Sequence, residues 1–406
     1  MGHSNRILPL TLVLLVNFFD WLGVGLVFPI FSAMLFHPEQ AILDPSVTQT
    51  VRCWYLGLLL AAMPLAQFFS GPILGSISDQ KGRRPLLLLT LLGGALAYFL
   101  CMVGIAIKSV ILLIFARFAV GIAAGNIAIV SAVIADLSDD ASKAKNFGLY
   151  SMVYGLGFSL GPFFGGHLSS FGLEIPFFLS GFVILINFVL VYFFFKETYS
   201  GGKKIPIRLD QGLKNLVKAF RLTGLRALFL STLLFCFGWS VFYEFIPVTW
   251  IRDFGYNARQ IGIAYAYGAG FYALSAGYLI RPLLNRFRPA GLLFYSSILL
   301  GLIIPLMIVK PPEFWNWIYL TVLNFLAAII WPTSTTMVSN LCTKDAQGET
   351  LGLFQSLQAA AFGFSPLVAG SLFAAYPVMP LVLGGVSMLL AAAIFGILLR
   401  KEVFSR

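Results

Sequence analysis

Long apolar runs dominate the chain, interrupted at intervals by short clusters of charge, proline and glycine. A helix that crosses a membrane needs ~20 mainly apolar residues at a rise of ~1.5 Å per residue. Cutting the chain at its interruptions leaves twelve such segments, at 7–36, 52–76, 86–107, 110–135, 146–170, 174–195, 226–250, 258–281, 289–309, 315–341, 350–376 and 378–399. The pattern predicts an all-α integral membrane protein of twelve transmembrane helices. The first segment is too long for the apolar region of a cleavable signal peptide and carries Asp20 in its middle, so it is read as a retained span.

Composition narrows the class further. Of 406 residues, 59% are hydrophobic and only 11% charged, against ~25% charged in a soluble domain. There are too few polar residues to cover a soluble surface, which excludes a soluble enzyme, a disordered regulator and a nucleic-acid binder. The four cysteines, Cys53, Cys101, Cys236 and Cys342, form no CxxC pair and read as small apolar fillers. His3, His37 and His167 lie near chain or span ends, in no spacing that suggests a metal. The forty phenylalanines are read mostly as lipid-facing bulk.

The net charge of +11 becomes informative once its residues are located. With both termini inside, 21 of the 27 basic residues fall in cytoplasmic stretches, among them Lys81, Arg83, Arg84 and eight between 196 and 226. Only Arg52, Lys108, Arg252, Arg259 and Lys310 lie outside, and Arg117 lies within a span. By the positive-inside rule this orients the chain as a multi-pass membrane protein with both termini cytoplasmic, expected in an inner (plasma) membrane.

The polar stretch 196–225 divides the chain into an N-terminal six-helix bundle, 1–195, and a C-terminal one, 226–406. Loop chemistry recurs across it. Phe147-Gly148-Leu149-Tyr150 matches Leu351-Gly352-Leu353-Phe354, Gly161-Pro162 is echoed by Ser365-Pro366, and Gly166 by Gly370. Gly71 and Asp79 fall on Gly277 and Asn285, and Pro29 on Pro247. Two pseudo-symmetric halves with a midplane site between them are a common plan of secondary transporters.

From the end of the second segment to the start of the third run Gly71, Gly75, Asp79, Gly82, Arg83, Arg84 and Pro85. Glycines four apart let another helix approach closely, Asp79 can accept a charge-assisted bond, and Arg83 supplies a fork of donors. This loop resembles motif A of the major facilitator superfamily. The resemblance implies that Arg83 pairs with Asp136, at the end of the fourth span, and that Asp79, Arg83 and Asp136 form a gating latch holding an outward-open state. The bland alternative is topological charge with surface pairing. The second copy has Asn285 in place of Asp79 and lacks the paired arginines, so the latch is expected on one side only.

The first span carries Asp20, Gly23, Gly25 and Pro29, a pattern similar to that of tetracycline and multidrug proton antiporters. A carboxylate near midplane is costly in hydrocarbon, so it should face a cavity or a partner. Asp20 is the first candidate for proton coupling; a structural carboxylate bonded to backbone is the other reading. Arg117, Gly121, Gly125 and Asn126 resemble motif B, whose arginine the family ties to proton coupling. Asp20 lies roughly 21 Å from the inner surface and Arg117 roughly 13 Å from the outer one, so across a ~30 Å core the two depths nearly coincide. The pair is expected to meet; an arginine that snorkels to the interface is the alternative.

The fifth span holds Gly157, Gly161, Pro162, Gly165 and Gly166, similar to motif C of proton-linked exporters, with Val153 where the family has an earlier glycine. Such a segment packs closely and kinks, and is read as a hinge or seal. Glu244 is a third buried ionisable residue, a second proton site or a cation ligand beside Trp239 and Tyr243, or else solvated and inert. Weaker substrate-cavity candidates are Asn17, Gln67, Asn126, Tyr150, Tyr154, Tyr265, Tyr272, Asn324, Gln355 and Gln358.

Together these motifs imply a major facilitator transporter, most similar to the proton antiporters that export drugs or other small amphipathic molecules. It is expected to act as a monomer, without a cofactor and driven by the proton gradient. A nutrient, amino-acid or siderophore transporter on the same scaffold is the alternative; a membrane enzyme or non-transporting receptor would need a catalytic or metal cluster at one face, which the sequence lacks.

Overall fold

A computed structural model describes residues 4–139, 142–199, 210–222, 224–309, 312–341 and 347–404. Among these there is no strand. In chain order the helices are α1 Ser4–Val27, α2 Ile30–Phe36, α3 Gln49–Lys81, α4 Arg83–Ala106, α5 Val110–Ala124, α6 Ile127–Leu137, α7 Lys143–Leu168 and α8 Ile175–Phe194. They continue with α9 Gln211–Arg221, α10 Arg226–Phe254, α11 Ala258–Leu274, α12 Arg281–Arg286, α13 Pro289–Leu306, α14 Phe314–Asn340, α15 Gln347–Ala375 and α16 Met379–Phe404.

Ten stretches among the described residues are long and apolar enough to cross a membrane. The fifth and eighth of the twelve expected segments, α7 and α11, are helical but are not among them. Glycine, serine and tyrosine dilute α7, while α11 has 17 residues and gives way to a π turn, Ser275–Leu279, ahead of α12.

Two expected spans are broken in the middle. The first divides into α1 and α2 at Pro29, which has no N–H to give and whose ring crowds the preceding turn. The fourth divides into α5 and α6 at Gly125–Asn126 without any proline. A further departure concerns residues 77–81, which fall between the second and third expected segments. They are helical and form the end of α3; only Gly82 leaves the helix before α4 begins.

The chain groups into two compact units, Met1–Asp44 with Ala62–Gly212 and Asn257–Ala266, and Pro45–Ala61 with Leu213–Tyr256 and Tyr267–Arg406. The grouping differs from a cut at 196–225, because the start of α3 counts with the second unit and the start of α11 with the first. In the first unit α1 packs on α7 and α8, and α4 on α5 and α8. In the second α10 packs on α15 and α16, and α13 on α14 and α16. These pairings are equivalent under the internal repeat, so the duplication seen in the loops extends to the packing of the helices.

Phenylalanine is divided between core and periphery rather than turned mostly to lipid. Phe31, Phe177, Phe229, Phe242 and Phe354 are fully buried, whereas Phe115, Phe171 and Phe193 are exposed. In a bilayer both environments are apolar, so residue type does not say which one a ring occupies. Cys53, Cys101 and Cys236 are free and buried; Cys342 lies outside the described residues.

Candidate proton and gating sites

The α3–α4 corner is built around a helix start with no cap of its own. Gly82 stands at φ 96°, a left-handed conformation that a side chain strains, and it offers no side-chain acceptor to the first N–H groups of α4. Glu197, just beyond α8, supplies one. Its Oε1 accepts the backbone N–H of Arg83 at 2.9 Å and its Oε2 that of Arg84 at 3.0 Å. A Cβ on residue 82 would lie 2.6 Å from that carboxylate, a second reason for glycine.

With its backbone held, Arg83 is 5% exposed and joins three partners. Nε donates to Asp136 Oδ2 at 3.1 Å, and Nη1 to Asp79 Oδ1 at 2.5 Å and Ser78 Oγ at 2.6 Å. The Tyr199 ring lies 4.8 Å from the guanidinium carbon, so the cation is covered by a π face as well. Asp79, Arg83 and Asp136 are therefore brought together as expected from the sequence. Glu197 and Tyr199 were hidden within the linker. The usable signal was a helix opening Gly-Arg-Arg-Pro with no Ser, Thr, Asp or Asn before it, which requires an acceptor from elsewhere. Asn285, the second-half counterpart of Asp79, falls in α12, but its side chain lies outside what is described.

The break between α5 and α6 creates the Asp20 site. Across it the backbone bonds shorten to three-residue reach, Gly125 N–H to Ile122 O and Asn126 N–H to Ala123 O. Carbonyls that a regular helix would use are released and taken up by α3: Ser70 Oγ donates to Gly121 O at 3.3 Å and Gln67 Nε2 to Ala124 O at 3.1 Å. Asn126, at the joint, turns its side chain to α1, where Nδ2 donates to Asp20 Oδ2 at 2.8 Å. Asn17, one turn before Asp20, donates to Tyr150 O at 3.0 Å. Asn17, Asp20, Gln67 and Asn126 line a cavity together with Trp21, Thr90 and Tyr98.

Depth arithmetic misplaced Arg117. Asp20 is bonded by Asn126, while Arg117, 3% exposed, has its guanidinium carbon 4.9 Å from the centre of the Phe31 ring, beyond the Pro29 break. Counts along α1 to Asp20 and along α5 to Arg117 fix depth but not the direction in which a side chain points, and Arg117 is turned toward α2. The arginine is thus sheltered by an aromatic face at a different level of α1 and α2.

The glycines of α7 form a contact surface with no ligand-bearing groups. A Cβ at Gly157 would lie 2.6 Å from Phe18 O, one at Gly161 2.5 Å from Gly25 Cα, and one at Gly166 2.9 Å from Gly262 Cα. Gly165 abuts the Leu26 backbone even more closely, and Pro162 packs beside Gly25. Backbones of α1 and of the start of α11 thus rest directly on α7. Tyr154 of the same helix meets Trp21 edge-on at 4.3 Å.

The second unit holds its own buried acid. Glu244 Oε1 accepts from Ser240 Oγ at 2.9 Å, and Ser365 Oγ donates to Ser240 Oγ at 2.6 Å, giving a chain of hydroxyls from α15 to α10. Beside it Trp239 stacks on Tyr243, with centroids 5.5 Å apart, and Phe235 bridges Trp239 to Trp331. Ser365 stands where the repeat has Gly161, so the register already marked it as the position where a hydroxyl replaces a contact glycine. Of the remaining candidates, Asn324 donates to Leu320 O in its own helix, Tyr265 is buried against Phe28, Tyr272 and Gln358 are half-buried, and Gln355 is exposed.

Residues 12–366 match the family model described as Major Facilitator Superfamily. The chain is 27% identical over 366 residues to the class C tetracycline resistance protein of Escherichia coli, covering 88% of this chain and 87% of that protein. It is 28% identical over 392 residues to the quinolone resistance protein NorA of Staphylococcus aureus (strain COL), covering 95% and 94%. Among solved structures, a D-xylose-proton symporter superposes with a TM-score of 0.73 at 13% identity, covering 97% of each chain. The human organic anion transporter MFSD10 (TETRAN) superposes with a TM-score of 0.71 at 22% identity, covering 97% of this chain and 100% of that one. These two likenesses concern the fold. The match over most of the chain, the helical membrane architecture and its internal duplication make this protein a transporter of the major facilitator superfamily.

Proposed function

We propose that the chain is a proton-coupled antiporter that exports flat, amphipathic aromatic molecules by alternating access, with both termini cytoplasmic. One observation carries the reading: a carboxylate in the middle of a membrane helix, Asp20, is held by the neutral amide of Asn126. An ionised carboxylate at the centre of a bilayer costs ~2.5–3.5 kcal/mol by insertion scales, so a transporter that retains one has a use for it. Its bond to an amide and the cavity beside it support a role in gaining and losing a proton. In this scheme Asp20 takes up a proton from the outward-open cavity as substrate leaves, and releases it when the cavity faces inward and substrate binds again.

The Asp79–Arg83–Asp136 latch closes and opens within this cycle. Glu244, next to stacked Trp239 and Tyr243, suits a planar cation, which an acid attracts and aromatic faces cover. The tetracycline and quinolone resistance relatives lend the export of drugs as the direction. Drug-sensitive bacteria expressing the protein should tolerate more of some planar drugs, and everted vesicles should lose their pH gradient when such a drug is added. Unchanged potency for every drug, together with altered growth on a nutrient or iron source, would instead make the chain a nutrient transporter.

A further inference from the structure

Helix α6 is a short rod with a bonded group at each end. At its start, Asn126 donates to Asp20 at 2.8 Å; at its finish, Asp136 accepts from Arg83 at 3.1 Å. The two residues are ten apart, so about 15 Å of helix separates them. The break at Gly125–Asn126 uncouples α6 from α5, and the carbonyls of Gly121 and Ala124 are held by Ser70 and Gln67 of α3. A small rotation or slide of α6 therefore leaves the backbone bonds of α5 in place.

We propose that α6 is the transmission rod between the proton site and the latch, with Asn126 as the positioning residue at its proton end. The inference rests on Asp20 being the proton site. Its chemistry lies in the amide. Toward an ionised Asp20, Asn126 offers Nδ2–H. A protonated Asp20 is a weaker acceptor for that N–H and gains an O–H donor, which the amide's Oδ1 takes only if Asn126 turns its amide plane or shifts. An arginine, with donors only, has no equivalent answer. Gaining a proton thus changes the bond that holds the start of α6, and the rod carries that change to Asp136.

Other ionisable groups surround both ends. Around Asp20 they are Tyr98 of α4 on the cavity wall and Tyr150 and Tyr154 of α7, with Arg117 of α5 placed over Phe31. Helix α8 presents no charged side chain to α1. Around Arg83 stand Asp79, Asp136, Arg84, Glu197 and Tyr199, with Lys81 exposed on the adjacent turn.

The test reads the latch directly, without drug or gradient. In a Cys342→Ser background, Lys81→Cys gives a reactive thiol beside the latch, because Cys53, Cys101 and Cys236 are buried. Its alkylation rate in liposomes is divided by the rate in the same protein carrying Arg83→Gln, which cancels the pH dependence of the thiol. This ratio should change by about fivefold or more between about pH 6 and about pH 9, the scale of an allosteric coupling. Asp20→Asn should flatten it, and Asn126→Leu should flatten it equally.

Softening the rod with Ala132→Gly and Ala135→Gly, which leaves both bonded ends intact, should at least halve the change. A ratio that still responds in Asn126→Leu and in the softened rod, yet is flat in Asp20→Asn, overturns the rod. A ratio that responds in Asp20→Asn overturns Asp20 as its source. Because no transport is measured, a failure to export drugs would sink the antiport reading while leaving this result standing.

Discussion

Glu197 accepts the backbone N–H of Arg83 at 2.9 Å, across 114 positions of the chain. A residue three positions past α8, the last helix of the first half, thereby caps the helix that Arg83 begins. Glu197→Ala should remove this cap, at a cost of about 0.5–2 kcal/mol. The expected result is a lower melting temperature in detergent and a faster-reacting thiol at Lys81→Cys. Glu197→Gln, which keeps one acceptor oxygen, should fall between the two. Unchanged stability in Glu197→Ala would show that water satisfies the start of α4 equally well.

Asp20→Asn should abolish uptake driven by an imposed pH gradient in proteoliposomes while retaining exchange of labelled for unlabelled substrate. The amide preserves the size and a hydrogen bond to Asn126 but has no proton to trade. Driven transport at the parent rate would remove Asp20 from the coupling step.

The glycines of α7 divide into two classes. Gly161→Ala places a methyl where Gly25 Cα already stands, and should cost about 1–3 kcal/mol and most of the transport activity. Gly155→Ala, on the same helix with nothing within 4 Å, should be neutral or slightly stabilising. Equal effects of the two substitutions on thermal stability would contradict the close contact of α1 and α7.

Glu244→Gln should weaken export of cationic dyes by roughly tenfold, equivalent to about 1.4 kcal/mol, and leave neutral substrates little changed. Ser365→Ala, which removes the hydroxyl behind Ser240, should show the same preference in milder form. Susceptibility profiles against paired cationic and neutral compounds separate this from a general loss of activity.

Helical membrane architecture and the meeting of Asp79, Arg83 and Asp136 were legible because each rests on local pattern: apolar run length in one case, a spaced set of glycines and charges in the other. Glu197 was not, since a cap supplied from 114 residues away leaves no local trace. The partner of Asp20 was misjudged for a related reason. Depth along ideal rods favoured Arg117, whereas the break at Gly125–Asn126 presents an amide instead. Helix breaks without proline depend on side chains such as Ser70 and Gln67 to satisfy the released carbonyls, and those sit on another helix. In the second unit, Ser365 was visible only through the repeat, as an exception to a glycine.

The glycine face of α7 also bears on how the protein is made. Each residue given up for backbone contact with α1 lowers the hydropathy of α7, which is not among the ten stretches apolar enough to cross a membrane by composition. Partitioning from the translocation channel into lipid depends on that hydropathy. A reporter fused after α7 should therefore report poor insertion of this helix alone and efficient insertion when α1 and α8 accompany it. The face that joins α7 to its neighbours in the finished transporter then makes those neighbours a condition of its entry into the bilayer, and ties the order of assembly to the order of the first six spans along the chain.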